Sequence, residues 1–203
     1  MPGHCINGED SGVTVPYRPE FSRLELDEDG EIVGARVVGA RHAGEDFSRA
    51  RLVDVELVRC DLSGCDFTEG AFHRVTLHEC RATSIEVGLM TWRNVTVNDS
   101  RLDDANLRGS QLEQVCFETV NCARADFGGA RLEGVKFPGS DLAAADFSNA
   151  RCTDLDLRAA RLEGLKGIAS LRGATIGVDQ LFGLAGGLAV ALGISVREPE
   201  DDQ

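Results

Sequence analysis

Residues 45–164 read EDFSR ARLVD VELVR CDLSG CDFTE GAFHR VTLHE CRATS IEVGL MTWRN VTVND SRLDD ANLRG SQLEQ VCFET VNCAR ADFGG ARLEG VKFPG SDLAA ADFSN ARCTD LDLRA ARLEG. Cut this way, the stretch is 24 consecutive pentapeptides without a gap. The third position is Leu or Phe in 18 of them, the other six being Ala82, Val87, Trp92, Val97, Cys122 and Cys152. The first position is small or apolar in every block except that of Glu45, and the remaining positions are mostly polar or small. A self-similar period of this kind takes precedence over any local reading of secondary structure. An amphipathic helix needs apolar residues at i, i+3, i+4 and i+7, and a half-buried strand needs strict alternation. Neither fits. Two inward residues in five, one outward residue between them, describe a very short extended segment followed by a corner.

A chain that turns a corner every five residues closes a square after four sides, or 20 residues. An independent mark of that second period is present. The first residues of every fourth block are Val55, Val75, Val95, Val115, Val135 and Leu155, the set richest in β-branched residues. The expectation is a four-sided coil in which side chains twenty positions apart stack. Six turns at about 4.8 Å each make a rod of roughly 29 Å.

These blocks match the A(D/N)LXX pattern, and the chain resembles the pentapeptide-repeat family over residues 45–164. The resemblance implies an all-β solenoid, a right-handed quadrilateral β-helix; the handedness comes from the resemblance and not from the spacing.

Around the repeat, GEIVG, ARVVG and ARHAG (30–44) keep the phase, with His42 at a core position, so the rod is expected over 30–178. Residues 1–29, with Pro2, Pro16, Pro19 and a turn signal at DEDG, read as a partly ordered arm, whose stretch Val13–Tyr17 is suited to cover the first open edge. Downstream LKGI is one residue short and the phase resumes at 169–178. A C-terminal α-helix is expected over 179–194, with Asp179 as N-cap and Gly193 as stop, then an acidic tail, 195–203. Leu181, Phe182, Leu184, Leu188, Val190 and Leu192 make that helix apolar most of the way round. Solenoids need terminal caps. A cap uses one face, so the second apolar face points to a twofold homodimer contact. The coil around Trp92 is the least regular, with Ala82 undersized and Trp92 oversized. Compensating volumes account for this; the alternative is a bulge shaping a partner surface.

Catalytic signatures are absent: no phosphate-binding loop, no HExxH, no dinucleotide fingerprint and no Gly-x-Ser-x-Gly elbow. The expectation is therefore no enzyme, no cofactor and no metal. Seven cysteines lack zinc spacing. Cys60, Cys65, Cys80, Cys122 and Cys152 fall at inward positions as small hydrophobes, which suits reduced thiols in a cytoplasmic protein. His73 and His78 occupy outward positions. Nothing is long and apolar enough for a membrane span, and no secretory signal precedes the rod. Acidic residues outnumber basic ones 34 to 21, net charge −13, which disfavours direct nucleic-acid binding.

Sorting the surface by side is more informative. One side carries Asp46, Asp66, Glu86, Asn106, Asp126 and Asp146 in a column; its neighbour carries Arg51, Ala71, Thr91, Gln111, Arg131 and Arg151. A preference for Asp or Asn that bonds to backbone explains part of the acidic column. A strip imitating a phosphate backbone explains the rest. The rod resembles the Qnr and MfpA group of the family, and that resemblance implies a DNA mimic that binds DNA gyrase or topoisomerase IV and counters topoisomerase poisons. The alternative is a general protein-binding scaffold.

Overall fold

The computed structural model describes residues 18–197, and over most of that length the chain winds as a four-sided parallel solenoid. From Glu31 to Lys166 residues twenty positions apart lie side by side. Arg51 pairs with Ala71, Ala71 with Thr91, Thr91 with Gln111, Gln111 with Arg131 and Arg131 with Arg151. The sides differ in kind. The second and third, which begin at Arg51 and Glu56, are short strands such as Arg51–Val53, Glu56–Val58 and Ala71–His73. The first and fourth, which begin at Asp46 and Asp61, are tight turns closed by bonds such as Cys65 N–H to Leu62 O (3.1 Å) and Ala130 N–H to Phe127 O (3.0 Å). At Thr91–Asn98 and Gln111–Glu118 two strand sides run together through their corner.

The corners share one backbone conformation. All 24 fifth positions from Arg49 to Gly164 have φ between 47° and 68°. Eighteen of these are not glycine, and each such residue in the left-handed region costs about 1–2 kcal/mol. The square cross-section is therefore held against local preference by what it encloses.

That enclosure is a single core. The first and third positions are buried from Ala50 to Leu165, Cys152 excepted. Rings stack along the axis, Phe117 on Phe137 at 4.8 Å and Phe127 on Phe147 at 4.7 Å. Around Trp92 the ladder is unbroken, since Arg81 pairs with both Asp61 and Arg101. Trp92 and Ala82 are both buried and the rings of Phe72 and Trp92 lie 5.1 Å apart. The large and small side chains compensate each other without a bulge. Cys152 is only partly buried, because the chain leaves the square soon after it.

The two ends are less regular than the rod. Within the arm before residue 30, Glu20–Phe21 pairs with Arg36–Val38, and Leu24 is buried over the first coil. The proposed edge-covering stretch 13–17 lies outside the described residues. At the other end the missing residue shows in the register, Asp156 pairing with Thr175 at nineteen positions rather than twenty. A 3-10 turn at Ile168–Ser170 absorbs the change. The helix, α1, spans Val178–Ala191 and starts one residue earlier than expected, with Gly177 as N-cap and Asp179 in the first turn. Its cap bond comes from Gln180, whose Oε1 accepts the Gly177 N–H while its Nε2 donates to the carbonyls of Leu157 (2.7 Å) and Ala160 (2.6 Å). Gly193, at φ 72°, ends the helix as expected.

Phe127→Ala should lower stability by about 3–5 kcal/mol, the usual cost of removing a buried aromatic ring, read as a shift in the urea midpoint. Leu89→Gly, at a corner where φ is 56°, should stay within about 1 kcal/mol of wild type, because relief of left-handed strain offsets the added freedom of the unfolded chain.

Candidate functional site: the acidic column

The column exists as a stacked row: Asp46, Asp66, Glu86, Asn106, Asp126 and Asp146 are successive bridge partners, and Lys166 follows. Why acids stand there follows from the turns. On a turn side the second-position N–H bonds to the coil before and the third- and fifth-position N–H groups to the coil after, as at Asp61, Leu62 and Gly64, while the next first-position N–H closes the turn. The fourth N–H remains, and where the second residue is Asp or Asn its side chain takes it. Ser48 N–H donates to Asp46 Oδ1 (2.8 Å), Gly128 N–H to Asp126 Oδ1 (2.8 Å) and Ser148 N–H to Asp146 Oδ1 (2.8 Å). Asn106 does the same for Arg108 (3.1 Å), and on the fourth side Asp61, Asn121 and Asp141 repeat the arrangement. On strand sides the ladder uses that amide, and Arg, Thr and Gln are free to stand there. Side three turns tight at Lys136, where no acceptor is needed because Pro138, two residues on, has no N–H.

Only one carboxylate oxygen is used this way, so the second faces outward. Hydrogen bonds from Ser48, the backbone amide first, hold the Asp46 carboxyl below the usual carboxylate range; Asp146 is lowered too, chiefly by the Ser148 side chain. Elsewhere the coils are pinned by opposite charges at twenty-residue spacing. Arg74 meets Asp54 (2.6 Å), Arg124 meets Asp104 (2.6 Å), Arg93 meets Glu113 (3.1 Å) and Arg161 meets Asp141 (3.2 Å). On the first side the sign repeats instead, over Asp46, Asp66 and Glu86 and again over Asp126 and Asp146. Arg108 offsets part of this, its Nη1 lying 3.0 Å from Asp126 Oδ2, and Asn106 Nδ2 donates to Glu86 Oε2 (2.6 Å).

The sequence reading overlooked Leu89. It projects from the corner beside the column, 64% exposed. The next corner on that edge is Gly109, where an added Cβ would meet the Leu89 side chain, and Gly88 precedes the leucine, so an apolar knob stands over bare backbone. The available signal was a leucine at a corner position, where apolar residues have no inward role.

The helix residues divide. Leu184 is buried against the rod end and Leu188 partly so, while Leu181, Phe182, Val190 and Leu192 are exposed, Phe182 by 85%. A Cβ at Gly187 would collide with Ile168, so that glycine lets the helix lie on the 3-10 turn.

His73 and His78 are half-buried on the strand sides. Cys60, Cys65, Cys80, Cys122 and Cys152 are free thiols. Cys116, at an outward position, is disulfide-bonded, against the expectation of reduced thiols throughout. Among the described residues no group of three or more His, Cys, Asp or Glu could hold a metal ion, and no helix is long and apolar enough to cross a membrane.

A stacked parallel coil with five-residue sides, a Leu/Phe column and turn-capping Asp or Asn defines a class of solenoid. The family model for pentapeptide repeats matches eight copies, at residues 33–81 and 125–164, and the chain is a pentapeptide-repeat protein. The unmatched interval, 82–124, contains five of the six departures from Leu or Phe at the third position. No curated protein matches by sequence. Among solved structures, a trypsin-treated single-residue variant of QnrB1, a plasmid-mediated fluoroquinolone resistance protein, is 19% identical over 88% of this chain and 100% of its own, with a TM-score of 0.44. HetL of Nostoc sp. strain PCC 7120, involved in heterocyst differentiation regulation, is 20% identical over 71% of this chain and 84% of its own, at a TM-score of 0.32. A pentapeptide repeat protein of the Arabidopsis thaliana thylakoid lumen is 21% identical over 62% and 70%, at 0.37. Likenesses this distant do not bear on what the chain binds.

Two outcomes test the double use of the aspartates. Asp126→Asn should leave the urea midpoint within about 0.5 kcal/mol of wild type, since an amide oxygen still accepts from Gly128, whereas Asp126→Ala should cost about 1 kcal/mol. Lowered carboxyls at Asp61, Asp146 and Asp156 contribute stability that is complete above the ordinary aspartate value of about 3.9 and is lost as pH falls through and below it. The melting temperature should accordingly be lower at pH 3 than at pH 7.

Proposed function

We propose that the chain is a non-catalytic binding protein that offers its acidic first side to a basic, DNA-binding surface of another protein, with DNA gyrase or topoisomerase IV, enzymes that hold duplex DNA on such a surface, the partner to be tested. One observation carries the reading: five carboxylates stand on one side of a rod whose other charges are largely paired with the opposite sign between coils. From Asp46 to Asp146 the column spans five coil steps, about 24 Å. Duplex DNA carries about 14 charges in that length, so the strip imitates the line of charge only weakly. Shape and a local contact must supply the remainder, and Leu89 is placed to supply that contact. Binding to a bacterial topoisomerase puts the site of action in the cytoplasm. The apolar outer face of α1, led by Phe182, supports a homodimer joining two rods end to end.

The direct test is a supercoiling assay with purified gyrase, with and without a fluoroquinolone. Inhibition or drug protection is expected at low salt, weakening at least tenfold when Asp66, Asp126 and Asp146 become Asn and Glu86 becomes Gln. It should also fade as ionic strength rises toward 1 M, where screening acts within about 3 Å. No effect on any topoisomerase, or an effect indifferent to these substitutions, rejects this partner. A general protein-binding scaffold is the second reading, favoured by Leu89; there, Leu89→Gly abolishes partner capture while the charge variants retain it. For the dimer, sedimentation should give twice the chain mass for wild type and the chain mass for Phe182→Asp; a monomeric wild type rejects it.

A further inference from the structure

His42 ends the column of inward side chains on the fourth side, 1% exposed. Its ring is bonded at both nitrogens. The Leu24 backbone N–H donates to Nε2 (2.9 Å), and Nδ1 lies 2.9 Å from Glu45 Oε2. A nitrogen that accepts an amide proton carries none itself, so the imidazole is neutral with its proton on Nδ1, donated to the Glu45 carboxylate. The Leu24 side chain is buried as well, so the bond fastens the segment before the first coil to the core. Three more contacts hold that segment: Arg36 N–H donates to Pro19 O (3.0 Å), Arg36 lies 3.6 Å from Glu20, and Arg23 lies 3.4 Å from Glu45.

We propose that His42 is a proton-operated latch, holding residues 18–29 over the N-terminal end of the rod while its Nε2 is unprotonated and releasing them when it takes a proton. A second proton sets an N–H against the Leu24 N–H, replacing an attraction with a repulsion and leaving a buried amide without an acceptor. The Glu45 carboxylate, 2.9 Å from Nδ1, is the nearest charged group. The other charged and titratable groups facing the site are Arg23, which pairs with Glu45; Asp61, whose carbonyl accepts the His42 N–H; and Cys65, whose thiol donates to His42 O (2.9 Å). Burial pushes the Cys65 thiol up to about 11, so it stays protonated across the range concerned. The Phe47 ring packs edge-on at 5.2 Å and contributes no charge.

The sign follows from proton counting. The latched form has no place for a proton at Nε2, where the Leu24 N–H already sits, so falling pH favours release and rising pH favours the latch. Release uncovers the strand edge at Arg36–Val38, which Glu20–Phe21 otherwise pairs. An unpaired edge recruits another strand, so a single proton controls whether the rod is terminated or open at this end.

Hydrogen exchange on the full chain at pH 8.0 and 5.5, corrected for the intrinsic pH dependence of exchange, tests the latch. Peptides covering 20–30 should lose at least tenfold in protection at pH 5.5 while those covering 100–130 do not change. In His42→Gln the side-chain oxygen accepts from Leu24 at either pH, so the difference between the two pH values should vanish. If His42→Gln does not fold, His42→Leu, which matches the leucines of its own column, keeps the test decisive: with no acceptor for the Leu24 N–H, protection of 20–30 should be low at both pH values. Equal protection at both pH values in wild type overturns the proposal, as does the same loss in His42→Gln or a pH-dependent loss in His42→Leu.

Discussion

A left-handed backbone at every fifth residue is the constraint on which the molecule depends. It is unfavourable for most of the residues that adopt it, among them Arg59, Thr119 and Asp154, and no local interaction repays it fully. Repayment comes from stacking. Each corner aims two side chains inward, and backbone bonds such as Leu62 N–H to Arg81 O (2.7 Å) bind that coil to the next. Corner, column and ladder are consequently inseparable: a five-residue side makes sense only with another coil on each face.

This mutual dependence explains what was legible in the sequence. The inward positions were readable because burial selects strictly: Leu107, Phe127 and Leu132 repeat at one spacing over many turns. The twenty-residue register was readable for the same reason. The division into turn and strand sides was not, because it depends on where one amide hydrogen is spent. In retrospect part of it is written in the second position: Asp or Asn there caps a tight turn, as at Asp61 and Asp126, although Arg81, Arg101 and Arg161 stand on turns as well. The ends were read least well. Leu24 acts through one bond to a distant ring and Gln180 through bonds to two distant carbonyls, and no periodicity announces such contacts. Leu89 was missed because a corner residue is expected to be indifferent.

The acidic column has two causes that coexist in the same atoms. One carboxylate oxygen completes the turn and would be required of an aspartate on any rod of this kind. The other oxygen is unconstrained by folding, and its alignment with identical neighbours produces a field on one side only. The fourth side shares the turn chemistry but alternates Asp61 with Arg81 and Asp141 with Arg161, so the backbone requirement alone does not produce a strip. What distinguishes the first side is the lack of arginine at its second positions.

Asn106 in the middle of that side has a wider consequence. It performs the turn-closing duty of an aspartate without the charge, so a rung of the rod can be recharged or neutralised by one substitution while its architecture is untouched. Heritable change can therefore explore electrostatic patterns, and with them choice of partner, at nearly constant foldability.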